Sequence, residues 1–229
     1  MSISSSTSPR ITTSLLAIML ALFSGCTTAS LPSLPVVSGP GAKIDVTSQT
    51  HPEASRSFKF DQALYNVDDN SDVTILLIQG TAENPTAVLT ARMFWTPIPA
   101  QTPIDQTATN ATFHLALYND QPDGSKACAV YAGAGFLYLY NNAGKSKLSA
   151  GIWEANLRLA DATTNHKNVY DKSKLDGKII ALKNSTLLSE NLATINQITA
   201  QYLGYPRFMM NPSSPFITPP SDQQLARSY

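Results

Sequence analysis

Val73-Thr74-Ile75-Leu76-Leu77-Ile78-Gln79 is followed, after a short gap, by Thr86-Ala87-Val88-Leu89-Thr90-Ala91-Arg92-Met93-Phe94-Trp95. These two runs decide the fold class. From Val73 to Ile78 the first is apolar on both faces except at Thr74, which is the pattern of a central strand. In the second, side chains alternate. Leu89, Ala91, Met93 and Trp95 point one way, Val88, Thr90, Arg92 and Phe94 the other, and the Arg92 side is the wetter.

Outward from this pair, further short runs rich in Val, Ile, Thr and aromatics read as strands at 43–48, 56–60, 112–118, 127–131, 135–140, 151–160 and 178–183. Turn chemistry separates them: Asp68-Asp69-Asn70-Ser71-Asp72, Asp120-Gln121-Pro122-Asp123-Gly124 and Asn141-Asn142-Ala143-Gly144. The last of these joins 135–140 to 151–160 as an antiparallel hairpin. The connections are too short for repeated βαβ crossovers. The expected fold is therefore mainly β, an antiparallel β-sandwich with one C-terminal helix, and an open barrel is the second choice. Leu187, Leu188, Leu192, Ile195, Ile198, Tyr202 and Leu203 carry the helical spacing near 185–203. Asn184 or Ser185 caps its start and Gly204, then Pro206, stops it. The domain runs over 43–205, and 206–229 is a proline-rich tail.

The start of the chain has a different composition. Arg10 is the only charged residue before Lys43, and Leu15 to Phe23 are nine apolar residues without a break. A bilayer-crossing helix needs ~20. A run of nine fits the apolar middle of a secretory leader, ~7–15 residues. It ends in Phe23-Ser24-Gly25-Cys26.

That tetrapeptide resembles the lipobox of bacterial lipoproteins: large apolar, small, small, cysteine. Phe23 stands where Leu is usual, with Leu22 before it. The resemblance covers only the leader. It implies a lipoprotein signal peptide over 1–25, a lipid attached at Cys26, and partnership with a bilayer through that acylated cysteine. The thiolate is nucleophilic enough to form the thioether. One acyl chain binds only marginally, so two or three are needed for lasting attachment. Thr27 is not the Asp that resembles an inner-membrane retention signal, so the expected address is the cell envelope, at the outer membrane. Two other readings stay open: a secretory leader cut after Ala29, and an uncleaved anchor. Residues 26–42 form a tether; Pro32, Pro35, Gly39, Pro40 and Gly41 fall in it and no charge does.

Sixteen basic residues balance sixteen acidic ones, and charged residues make up 14% of the chain. A nucleic-acid binder needs a basic field to neutralise phosphates, so nucleic acid is excluded as a partner. Catalytic, cofactor and metal motifs fail on context. Ala143-Gly144-Lys145-Ser146 has Leu139 where a phosphate loop needs glycine, and Gly133-Ala134-Gly135 has Tyr138 where a dinucleotide fingerprint needs its third. The glycines at 133 and 135 read instead as a bend or bulge in a strand. Asp68, Asn70 and Asp72 alternate as in a calcium loop, but Val73 and Gln79 replace its Gly and Glu, which leaves a solvated turn or a looser surface site. His51, His114 and His166 are far apart in sequence. Glu154 and Asp120 are the first carboxylates to test for an acid–base role. Cys128, in an apolar stretch, reads as buried and inert.

Three functional readings follow. The first is a non-enzymatic envelope lipoprotein with a structural, assembly or interaction role, contacting another envelope protein. The second is a glycan-binding module, which requires exposed rings on the shared face of Phe136, Tyr138 and Tyr140. The third is an envelope hydrolase whose site assembles in three dimensions around His114 or His166. The proline-containing loop between Thr96 and Ala111 is long for a compact domain and is a further candidate for binding.

Overall fold

The computed structural model describes residues 39–97, 109–121 and 124–208. Nine strands and one helix follow in order: β1 (Gly41–Ser48), β2 (Arg56–Phe60), β3 (Gln62–Val67), β4 (Val73–Gly80), β5 (Pro85–Met93), β6 (Ala111–Asp120), β7 (Lys126–Leu139), β8 (Lys147–Ala162), β9 (Lys172–Lys183) and α1 (Ser185–Leu203). A single turn of 3-10 helix, Pro52–Ala54, links β1 to β2. The chain is mainly β and antiparallel with one C-terminal helix, as its pattern of short alternating runs predicts.

All strands belong to one sheet. β3 through β9 pair in sequence order, each antiparallel to the next from β3 to β8. β9 then pairs with β8 along one edge and with β1 along the other. β1 pairs with β2, and β2 passes through Asp61 alone into β3. Beyond the start of β1, β3 touches β9 directly, Leu64 opposite Leu182. The sheet therefore closes on itself. Its halves face each other across one core, and β2, paired with β1 alone, is the strand left at an edge.

Alternation sorts the side chains. Ile44, Val46, Phe60, Tyr65, Ile75, Leu77, Leu89, Met93, Phe113, Leu115 and Tyr131 point inward and are essentially inaccessible to solvent. Leu76, Ile78, Val88, Ala116, Tyr118, Cys128 and Val130 point outward, yet they are buried, because α1 lies over them through Leu188, Leu192 and Ile195. This explains the doubly apolar Val73–Ile78 run: one face meets the core and the other meets the helix. Arg92, farther along the outer face of β5, reaches solvent and pairs with Asp72 at 2.9 Å. The Asn184 side chain accepts the Leu187 N–H at 3.0 Å, and Gly204, at φ 84°, ends the helix in the left-handed conformation.

Two strand readings need correction in detail. The runs at 127–131 and 135–140 are one strand, β7, and β3 is an additional strand. β7 continues through Gly133 and Gly135 because backbones meet there. A Cβ on Gly133 would lie 1.7 Å from the Asn156 carbonyl oxygen. The register shifts beside Gly135, between Ala134 and Phe136, but the extra residue is in β8, so the bulge lies in the strand opposite the glycines.

Candidate functional site

Antiparallel order sends the starts of β1, β4, β6 and β8, and the ends of β3, β5, β7 and β9, to one end of the sheet. The tether joins here, at Gly41. On the outer face near this end, away from α1, the register builds three cross-strand rows. The row at the rim is Tyr140, Ser149, Ile180 and Gly41. The next is Tyr138, Gly151, Lys178, Lys43 and Lys59. The third holds Phe136 and Trp153 on β7 and β8, then Asp176, Asp45 and Ser57.

The aromatic part of this face is continuous. Trp95 meets Phe136 edge-on at 5.9 Å between centroids, Phe136 stacks on Tyr138 at 5.3 Å, and Tyr138 tilts against Trp153 at 5.9 Å. Tyr140 lies over Gly151, whose missing side chain makes room for the ring. These rings stay at the surface: Trp153 is 62% exposed, Tyr140 64% and Trp95 39%. Scattered exposed apolar residues are ordinary, but a connected group of rings is a recognised mark of an interaction surface. Of the three rings that the glycan-binding reading requires at the surface, Tyr140 is exposed, while Phe136 and Tyr138 are half-buried.

The lysine part is as ordered. Lys43 sits between Lys59 and Lys178, and all three are exposed. Like charges directly opposite on neighbouring strands repel, Cβ to Cβ about 5 Å apart. Among the described residues no carboxylate comes within ion-pairing distance of any of the three. Asp45 and Asp176 lie one row farther from the tether end, and Asp61 follows two residues after Lys59. Lys145 stands in the β7–β8 turn, Lys147 opens β8, and Lys183 donates its backbone N–H to the Ser146 carbonyl between them. Six of the ten lysines are thus gathered on this side of a chain whose formal net charge is zero.

No family model, curated protein or solved structure matches this chain.

The other sequence candidates do not assemble into one centre. Asp120 lies opposite Lys126, at the far end of β7 from Phe136, beside which Glu154 sits; at ~3.3 Å per residue the two carboxylates are ~30 Å apart. Glu154, at φ 47° in the β8 bulge, pairs with Lys174 at 3.3 Å. His51 faces Glu53 at 3.3 Å on the exposed 3-10 turn. His114 shares the outer face of β6 with Ala116 and Tyr118, and burial pulls its pKa down, helped by Arg207. His166 Nε2 lies 3.1 Å from the Tyr131 hydroxyl, which also donates to Asn168 Oδ1 at 3.2 Å. Burial pushes that phenol up to about 12 and pulls His166 down. Desolvation therefore makes the phenol harder to deprotonate and the imidazole a weaker base, so the pair is ill-matched for proton transfer.

The Asp68 carboxylate accepts the Asn70 and Asp72 N–H groups at 3.0 and 2.9 Å, and Arg92 supplies the positive charge. Asp68 and Asp72 therefore face an arginine, in a turn. Among the described residues, no group of three or more His, Cys, Asp and Glu is placed to hold a metal. Cys128 is buried beneath α1, and burial pushes its thiol up to about 12, far from the thiolate that reactivity needs. Cys26 and residues 27–38 of the tether lie outside the described residues, as do 98–108 of the proline-containing loop and 209–229 of the tail, while Gly41 and Ala42 belong to β1.

Proposed function

We propose that the chain is a non-enzymatic bacterial envelope lipoprotein that holds its β domain at the outer membrane through acylated Cys26 and works by contact with another envelope component. The observation that carries this is the order Arg10, apolar run to Phe23, Ser24-Gly25, Cys26. Among the described residues, no helix is long and apolar enough to cross a membrane. The contact role is supported by the aromatic and lysine face, which offers rings and charge at the surface.

The test is metabolic labelling with a radioactive fatty acid, wild type against Cys26→Ser. Label is expected in the wild type alone, on a mature chain beginning at Cys26. Equal labelling, or a mature terminus downstream of Cys26, overturns the anchor. The glycan-binding reading is the second one, favoured by the surface position of Tyr140 and Trp153. It expects Trp153→Ala to weaken retention on an immobilised cell-wall glycan by tenfold or more, since ring stacking contributes ~1–3 kcal/mol in related stacked contacts.

A further inference from the structure

We propose that the outer face of β7, β8, β9 and β1 at the tether end lies against an anionic bilayer surface beside the chain's own acyl anchor. This rests on the reading of Cys26 as lipidated. Three observations point to that one occupant.

The first is where the rings are. Both tryptophans of the chain, Trp95 and Trp153, are on this face with Tyr140 and are exposed. Trp and Tyr favour the headgroup level of a membrane, where one side of the ring is apolar and the other wet. Phe136 lies between Trp95 and Tyr138, so its ring is taken up by neighbours rather than free to stack on a sugar. A connected group of rings on the outside of a closed sheet fits a broad surface better than a narrow chain.

The second is charge. Lys59, Lys43 and Lys178 form one row without ion-pair partners among the described residues, and repulsion along that row is relieved when phosphates lie opposite it. Each lysine close to an anionic leaflet raises partitioning by about fivefold.

The third is position. Gly41 opens β1 in the same row as Tyr140, and Cys26 is fifteen residues before it. Even fully extended, that segment reaches only ~50 Å. The face is therefore carried by the anchor itself, and its contact with the bilayer is intramolecular, at high effective concentration. Weak contacts suffice under that condition, and a basic patch is a recognised second signal beside acyl chains.

The experiment uses the full mature chain purified from cells and mixed with phosphatidylcholine vesicles, with or without phosphatidylglycerol. Flotation with neutral vesicles reads the anchor. Quenching of tryptophan by lipids brominated near the headgroup reads the docking, because both tryptophans report from this face. Quenching is expected to be at least twofold stronger in anionic vesicles. It should fall to the neutral-vesicle level in 0.5 M salt (on the order of a 4 Å screening length) and in Lys43→Glu/Lys178→Glu. Those side chains are exposed and unpaired, so the exchange removes no contact; the wild-type salt series serves equally if the variant misfolds. A chain that floats but keeps both tryptophans open to aqueous iodide overturns the docking and leaves the anchor standing. A chain that does not float with neutral vesicles but is quenched in anionic ones overturns the anchor and leaves the docking. Protection of the tryptophans by an acidic polysaccharide, with none by anionic vesicles, assigns the face to a glycan and overturns the proposal.

Discussion

Asn110 is fully buried, and its amide acts as a strand neighbour for Leu137. Its Oδ1 accepts the Leu137 N–H at 2.8 Å, and its Nδ2 donates to the carbonyls of Leu137 at 2.9 Å and Trp95 at 3.2 Å. Truncation strands these backbone groups away from water, at ~1–3 kcal/mol for each one left unpaired. Asn110→Ala should therefore lose ~3 kcal/mol in urea unfolding, and an unchanged midpoint would mean that water replaces the amide. Two histidines give a second residue-level effect. Burial holds His114 and His166 below the ordinary range, so the folded chain keeps them neutral. Their contribution is complete above the unfolded value of ~6.5. As pH falls through that value, the unfolded chain takes up protons that the folded chain refuses, and stability drops, more for the deeper His114 than for the more open His166. Asp161, held low by Tyr205 and then Arg207, gives up its contribution only in more acid solution. The urea midpoint should fall between pH 7.5 and 5.5, and His114→Gln should flatten the fall. A wild-type midpoint constant over that interval would contradict the assignment.

At the scale of elements, α1 closes the outer surface of β3 to β7, and Leu192 is central to that seal at 3% exposure. Leu192→Ala should cost ~2–5 kcal/mol, while Asn184→Ala, which removes only the cap, should cost ~1 kcal/mol. If thermal unfolding shows equal losses for the two, burial is not what holds the helix. This helix was legible in the sequence because its spacing, cap and terminating glycine agree. β3 was not, since only Ala63, Leu64 and Tyr65 separate Gln62 from Asn66, and one residue divides it from β2. β7 read as two strands because Ala132-Gly133-Ala134-Gly135 resembles a break, when small residues are there to let β8 approach. The candidate site divides the same way. Phe136, Tyr138 and Tyr140 share a face by local alternation alone. The row joining Lys59, Lys43 and Lys178 depends on the pairing of Lys43 with Lys178, more than a hundred residues apart, and no local pattern contains it.

For the molecule as a whole, closure depends on β9, which touches β3 at its end and, in a longer seam, pairs with β1, the last strand with the first. Gly177 lies in that seam. A Cβ there would come within 2.4 Å of the Lys43 carbonyl oxygen and 2.6 Å of Ile44 Cδ1, so no side chain enters without parting the strands. Gly177→Val should cost ~1–3 kcal/mol or more, borne where the clash is. β1 and β2 have no pairing partners in the sheet other than each other and β9, whereas β4, β5 and β6 keep both neighbours when the seam opens. Amide hydrogen exchange in β1 and β2 should then quicken by tenfold or more relative to β4 to β6, in the manner of local opening. The parted edge of β9 would also offer unpaired backbone groups to other chains, so the variant should self-associate as concentration rises. Exchange that quickens equally in all strands would show that the seam opens only with global unfolding. In that case closure is a property of the whole core, set by the inward-facing residues from Ile44 to Tyr131, and the first and last strands hold the sheet shut no more than any other pair.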